Sequence, residues 1–242
     1  MIGPILLAIT WLLLRLRGER LSAIGIDQGA RRLAEFVVGF ALLGAAAAAQ
    51  QLGLSTATGD HFVGNAAATP AGLLKHARFV INSVLYEELV FRGYLLYQAV
   101  RWLGPRRAIW LDAAAFGIYH WFSYGAFGNP VVMAYLLVMT GAFGLMWARA
   151  FVATRSVAAP IGMHLGWNAF TYIVYSAGPL GAALLVPASG AAQLKATGWP
   201  WVLLNIMWPL AVTMTVLWLC RAYERHAGKQ QTPVGLIAAD AA

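Results

Sequence analysis

The sequence is poor in cysteine and in charged residues. Cys220 is the single cysteine among 242 residues, which excludes an intrachain disulfide and a cysteine metal cluster. It lies in an apolar run, where a packed or lipid-facing residue is expected, so cysteine catalysis is not indicated. Charged residues make up 11% of the chain and hydrophobic residues 60%, whereas a soluble domain carries about 25% charged residues. This composition predicts a helical membrane protein with several spans.

Seven apolar segments are candidate membrane spans. They are residues 2–14, 34–52, 78–100, 108–123, 130–148, 157–177 and 201–220. The first segment reaches only about 20 Å along a helix, against a hydrocarbon core of about 30 Å. We therefore predict an all-α, polytopic transmembrane helical bundle of about seven spans, or six if the first segment lies in the interface.

The positive charges are distributed unevenly between the two sides of this topology. If the chain alternates, thirteen lysines and arginines fall on one side and three on the other, and Arg92 lies within a span. The thirteen are Arg15, Arg17, Arg20, Arg31, Arg32, Arg101, Arg106, Arg107, Arg149, Arg155, Arg221, Arg225 and Lys229. The positive-inside rule then places the C-terminus in the cytoplasm. Because the charge is spread over four segments, the net charge of +8 does not require a nucleic acid partner.

The remaining segments are predicted to be loops or a tail. Residues 53–72 and 178–200 are rich in Gly, Ala and Pro and are predicted to be external loops. Residues 222–242 lack periodic apolar residues and are predicted to be a mobile tail. The sequence contains no GxGxxG, Walker or HExxH pattern.

Two adjacent acids and an arginine interrupt the segment SVLYEELVFRGYLLYQ. Ionisable residues inside a span are costly, and they indicate a functional site. Glu88 and Arg92 are four residues apart, so they share a helix face and can pair. Glu87 is rotated from Glu88 by about 100°, which leaves it free for another role. The alternative is a structural ion pair that joins helices.

Two later spans carry histidines in the stretches FGIYH and HLGWN. Alone, His120 would be a packing or interfacial residue. His164 and Asn168 are four residues apart and can face one point, although a hydrogen bond between helices would explain them equally well. Asp112 lies eight residues before His120, and we expect it to begin the span rather than to join a site.

These polar residues lie at a similar depth in three different spans. Glu88, His120 and Asn168 are each 13 residues from the arginine that ends or precedes their own span, which corresponds to about 20 Å along a helix. His164 lies at a depth of about 13 Å by the same estimate. Independent structural contacts would not need to match in depth, so the agreement favours one shared intramembrane site.

The side chains of such a site allow three kinds of chemistry. A carboxylate beside a histidine can deprotonate water, and a second histidine with an asparagine amide can stabilise an oxyanion. Histidine and carboxylate also bind zinc, and they can relay protons in a transporter. The residues alone leave these three alternatives open.

Three motifs resemble those of a known family. EELVFRG fits Glu-Glu-x-x-x-Arg, FGIYH fits Phe-x-x-x-His, and SVAAPIGMHLGWN ends in His-x-x-x-Asn. In this order they resemble the CAAX protease and bacteriocin-processing family, called CPBP or Abi, of intramembrane endopeptidases and related immunity proteins. Its Ras-converting CAAX prenyl endopeptidase removes the last three residues after a prenylated cysteine. The similarity covers about residues 75–177.

The resemblance implies roles for the site residues. Glu87 would be the catalytic glutamate, and His120 would help it to activate water. His164 and Asn168 would form the oxyanion hole, and the supporting residues would be Glu88, Arg92 and Phe116. No metal is expected for this mechanism, although members are often named metalloproteases and zinc is the alternative cofactor.

The resemblance also implies an organisation and a function. We expect N-terminal membrane helices and an external loop in 1–74, the catalytic core in 75–177, and an external loop, last span and cytoplasmic tail in 178–242. The expected function is a glutamate-dependent endopeptidase of the bacterial inner membrane. It would act on a peptide or protein at the lipid bilayer, prenylated or not, and not on nucleic acid. The alternatives are a non-enzymatic bacteriocin immunity or scaffold protein and, less favoured, a proton-coupled transporter.

Overall fold

The protein is described from a computed structural model, which covers residues 2–26 and 29–230. Most of these residues are helical. The α-helices are α1 (Gly3–Arg15), α2 (Gly29–Thr58), α3 (Pro70–Leu89), α4 (Leu96–Leu103), α5 (Pro105–Ser123), α6 (Pro130–Thr154), α7 (Ala158–Asn168), α8 (Gly198–Val202) and α9 (Trp208–Gln230). Wider π-helical turns occur at Val90–Leu95, Ala169–Val174 and Leu203–Met207, and a 3₁₀ turn occurs at Leu21–Ile24. The predicted helical class is confirmed, apart from two short strands.

Within the part of the chain that the structure describes, three helical segments are long and apolar enough to cross a membrane. They are Leu21–Thr58, Pro130–Thr154 and Gly198–His226. Helix α5 has a similar length to a span, but it contains three charged residues, Arg106, Arg107 and Asp112, which lower its apolar character. Helix α1 is apolar but has only 13 residues. The long apolar helices identify an integral membrane protein, and the count of seven spans stays a prediction.

Two helices extend beyond their predicted ends. Helix α2 continues to Thr58, through part of the predicted loop 53–72, and the hydroxyls of Thr56 and Thr58 donate to carbonyls of its last turn. Helix α9 continues to Gln230. The prediction of a tail over 222–242 is therefore wrong for residues 222–230, which are helical. A side-chain ion pair between Glu224 and Arg149 of α6 ties this extension to the bundle. Residues 231–242 lie outside the described part of the chain.

The two predicted external loops pair with each other as a small sheet. Strand β1 (Phe62–Gly64) runs antiparallel to β2 (Leu185–Pro187), with Val63 opposite Val186. Beside this pair, the Ser189 hydroxyl donates to Asp60 over 2.5 Å. This pairing satisfies backbone groups of both loops by hydrogen bonds between them.

The arginine-rich segments meet at the opposite end of the bundle. Helix α2 has 30 residues, so its start lies about 45 Å from its end. Several side-chain contacts near the start of α2 join segments that are distant in sequence. They are Arg101 with Glu19, Arg149 with Glu224, Arg32 with the Thr154 carbonyl, and Arg31 with the Tyr223 hydroxyl. The predicted grouping of these segments is thus present in the fold, whereas the membrane side that they face stays a prediction.

Close packing of α7 on α2 fixes the direction of His164. Gly162 and Gly166 lie so close to the backbone of Phe36 and Phe40 that a Cβ atom on either glycine would collide with a carbonyl group. Small residues four apart allow membrane helices this close approach. His164 is two residues from both glycines, so it is rotated from them by about 200° and projects away from α2.

Candidate active site

Helix α3 ends at the two adjacent acids that mark the site. Glu87 and Glu88 occupy its last turn, and the chain then widens into the π-helical turn Val90–Leu95 before α4 begins. Within this turn Gly93 leaves the helical region, with φ −76° and ψ −124°. The predicted continuous span 78–100 is therefore interrupted directly after the acids. Such π-helical turns are frequent at functional sites.

The Arg92 side chain, which is 0% exposed, connects three helices. Its Nη1 lies 3.4 Å from Glu88 Oε1, so the predicted pairing within this segment is present. Its Nη2 lies 2.9 Å from Asp112 Oδ2 on α5 and donates to the Gly144 carbonyl of α6 over 3.2 Å. The guanidinium also lies 4.3 Å from the centre of the Phe116 ring. Arg92 is thus balanced by two buried acids.

The expectation that Asp112 only begins its span was wrong. Asp112 lies within α5, is buried, and faces Arg92. The reason is its spacing of eight residues from His120, a little over two helical turns, which places both residues on the inward face. Without Asp112, the Arg92 charge would be balanced by Glu88 alone within this buried network.

His164 lies between the two acids of α3. Its Nδ1 is 2.8 Å from Glu88 Oε1, and its Nε2 is 3.9 Å from Glu87 Oε2. The Trp147 ring of α6 stacks on the imidazole, with 4.0 Å between centres and 16° between planes. The imidazole is therefore held on one edge by Glu88 and on one face by Trp147, with Nε2 directed towards Glu87.

One cavity, of about 620 Å³, contains the four predicted catalytic residues. It is lined by polar groups of three helices, namely Glu87 from α3, His120 from α5, and His164 and Asn168 from α7. Phe116 also lines it. Glu88 and Arg92 are not part of the lining, and both are fully buried behind it. The fold thus separates a layer that a substrate could reach from a supporting layer.

The hydrogen bonds of His120 leave one of its ring nitrogens available. Its Nδ1 is 2.8 Å from the Phe116 carbonyl oxygen, which can only accept, so Nδ1 carries the proton. The neutral ring then has an acceptor at Nε2. An imidazole in this state can take a proton from water or orient it.

The Nδ1 atom of His164 also faces an oxygen, that of Glu88, and this contact limits what Nε2 can do. When Glu88 is ionised it can only accept a hydrogen bond, so Nδ1 of His164 is the donor. The Nε2 atom then donates to a substrate only if the ring holds a second proton. A role in an oxyanion hole therefore requires a doubly protonated His164, whereas the Asn168 amide can donate in any state.

A metal site is not evident in these side chains. Among residues 2–26 and 29–230, no group of three or more His, Cys, Asp or Glu side chains is arranged to hold a metal ion. His164 directs one nitrogen to Glu88, which is itself engaged by Arg92. The metal-free reaction nevertheless stays a prediction that needs a chelation experiment.

Several cavity residues could not be recognised from the sequence. They include Trp147 behind His164, Tyr124, which stacks on His120 with 5.8 Å between ring centres, and Tyr172 of the π-helical turn after α7. No motif marks these aromatic residues, because the chain is rich in aromatic residues throughout. Asp112 did have a signal, namely its helical register with His120.

The fold and the site together define a helical membrane protein with a cavity lined by ionisable residues. Residues 69–170 match the family described as Type II CAAX prenyl endopeptidase Rce1-like. This match confirms the resemblance of the motif-bearing helices to the CAAX protease family, and it includes every residue of the three motifs. The region that carries the three motifs is therefore similar to a family of proteases. No curated protein and no solved structure is significantly similar to the chain.

Proposed function

We propose that this protein is an intramembrane endopeptidase in which Glu87 activates a water molecule to hydrolyse a peptide bond. The observation that carries the proposal is the position of Glu87. It lines the cavity, whereas its neighbour Glu88 is fully buried and engaged by His164 and Arg92. Glu87 Oε2 has no hydrogen-bond partner among the described residues. The Glu87 side chain is 16% exposed and that of Glu88 is 0% exposed, so of the two acids only Glu87 can meet a water in the cavity.

The remaining polar groups supply the other functions that hydrolysis needs. Glu87 accepts the proton of the attacking water, and His120, with its acceptor at Nε2, orients that water. The carbonyl oxygen of the scissile bond gains negative charge as water attacks. The Asn168 amide and a doubly protonated His164 donate to that oxygen. Glu87 then passes its proton to the leaving amine, so no covalent intermediate is needed.

The supporting layer holds these groups in place. Glu88 fixes the His164 ring, and Arg92 joins Glu88 to Asp112 and to α6. A catalytic group must be held within a fraction of an ångström of its working position. We therefore assign Glu88, Arg92 and Phe116 as positioning residues.

The substrate proposed is a peptide or protein segment presented at the membrane. Aromatic rings line much of the cavity, including Phe79, Tyr124, Phe143, Trp167 and Tyr172, and they suit apolar side chains. The family description supports a prenylated C-terminal peptide as one substrate class. The proposed setting is the bacterial inner membrane. The distribution of arginines supports a cytoplasmic C-terminus.

A peptide-library experiment tests this function. Wild-type protein and Glu87→Gln are purified in detergent and incubated with prenylated and unprenylated peptides, and the products are identified by mass spectrometry. Glu35→Gln is the control, since Glu35 pairs with Arg31 and Arg32 outside the cavity. We expect cleavage by the wild type and the control but not by Glu87→Gln. Equal cleavage by all three proteins would refute the role of Glu87, and cleavage by none would favour an immunity or scaffold protein.

A further inference from the structure

A second cavity lies at the arginine-rich end of the bundle, between α5, α6 and α9. It has a volume of about 400 Å³. Each of the three helices contributes one arginine to its lining, namely Arg106, Arg149 and Arg221. None of these residues lines the cavity that contains Glu87. Arg106 is 14 residues from His120, which corresponds to about 21 Å along α5.

The lining has two layers along the helix axes. Each helix that contributes an arginine also contributes an apolar residue three or four positions away, and these are Ile109, Leu145 and Leu217. In all three helices the apolar residue lies on the membrane side of the arginine. One helical turn separates the layers by about 5 Å. A positive layer above an apolar layer is complementary to a phospholipid, whose phosphate lies above its acyl chains.

The charges of the cavity favour an anion. Arg149 is neutralised in part by its ion pair with Glu224. Arg106 and Arg221 are exposed and form no ion pair within residues 2–26 and 29–230. The cavity also includes the start of α5, where Gly104 provides no side-chain cap and the first turn contains no acid. The positive end of the helix dipole therefore adds to the field of the arginines.

An aromatic residue marks the depth of the cavity. Trp110 is 62% exposed and lines the cavity beside Ile109. Exposed tryptophans in membrane proteins concentrate at the level of the lipid headgroups. Basic pockets between transmembrane helices at this level bind anionic headgroups.

We propose that this cavity binds one anionic phospholipid from the adjoining leaflet. The phosphate lies between Arg106 and Arg221, and an acyl chain follows the apolar residues below them. The lipid joins α5, which carries His120, to α9. This inference rests on the membrane location of the protein and not on its proposed peptidase activity.

The test measures lipid binding to the purified, delipidated full-length protein. Phosphatidylglycerol and phosphatidylcholine with identical acyl chains are titrated and followed by native mass spectrometry. The cavity variant carries both Arg106→Gln and Arg221→Gln. The control variant carries both Arg20→Gln and Arg155→Gln. The second pair removes the same charge from exposed arginines outside the cavity. Inorganic phosphate is titrated in a separate experiment. The melting temperature of each variant shows whether it is folded.

We expect the wild type to bind phosphatidylglycerol more tightly than phosphatidylcholine. Since an arginine near the surface contributes a factor of about five, the cavity variant should lose phosphatidylglycerol affinity roughly 25-fold. Its phosphatidylcholine affinity should not change, and the control should keep the preference for phosphatidylglycerol. An equal loss in both double variants would show a general charge effect and overturn the site. Inorganic phosphate that binds as tightly as phosphatidylglycerol would overturn the lipid assignment.

Discussion

Replacement of Arg92 by methionine should destabilise the protein more than any single change at its surface. The arginine side chain is 0% exposed and lies within ion-pair distance of Glu88 and Asp112. Methionine fills a similar space but leaves these two acids buried without a cation. Removal of one partner from a buried ion pair costs about 3–5 kcal/mol. We expect a cost of about 5 kcal/mol here, because two acids lose their partner.

The comparison is an arginine that pairs at the surface. Arg101 bonds to Glu19, and its side chain is 50% exposed, so Arg101→Met should cost about 0–1 kcal/mol. In a protein of this size, about 1 kcal/mol corresponds to about 2–4 °C in melting temperature. Thermal unfolding in detergent should therefore show a decrease of about 10–20 °C for Arg92→Met.

A second substitution tests the cause of this loss. Addition of Asp112→Asn to Arg92→Met removes one of the stranded charges, so the double variant should be more stable than Arg92→Met alone. The effects of two substitutions on the free energy of unfolding are not additive when the residues are in direct contact. If Arg92→Met melts at the same temperature as Arg101→Met, the buried network does not stabilise the fold and the reasoning is refuted.

Three further outcomes are expected. Gly144→Ala should lower the melting temperature, because a Cβ atom would lie 3.1 Å from both Arg92 Nη2 and Phe116 Cβ. Overpacking of this kind costs about 1–3 kcal/mol. An unchanged melting temperature would contradict this packing. The Ser189 hydrogen bond lowers the pKa of Asp60. Ionised Asp60 therefore contributes fully to the stability of the fold above its ordinary pKa, and this contribution is lost as the pH falls through the lowered pKa. Ser189→Ala should raise that pKa in a carboxyl NMR titration, and an unchanged value would refute the assignment. EDTA should leave peptide cleavage intact, whereas loss on chelation with recovery on zinc addition would overturn the metal-free mechanism.

Much of the helical arrangement could be predicted because it depends on local patterns. Apolar runs gave the location of most helices, and alternate placement of arginines predicted which segments meet at one end. The ends of helices were less predictable. Helix α9 extends to Gln230, and within this extension Glu224 pairs with Arg149 of α6, a contact between distant segments that has no local signal.

The site was predictable where residues of one helix share a face. The spacing of Glu88 and Arg92 predicted their pairing. The common depth of Glu88, His120 and Asn168 predicted one shared site, and His120 and Asn168 do line one cavity. The use of each group depends on contacts between helices that the sequence does not reveal. The position of His164 between two acids follows from the close packing of α7 on α2, and its stacking on Trp147 follows from the position of α6.

If Glu87 is the base that activates water, its replacement must slow peptide cleavage. Glu87→Gln keeps the shape of the side chain and removes its ability to accept a proton. With a cleaved peptide from the library, kcat/KM of this variant should fall by about 10²–10⁴, the usual contribution of a general base. Its melting temperature should stay close to that of the wild type. Cleavage by Glu87→Gln within about tenfold of the wild-type rate would contradict the account.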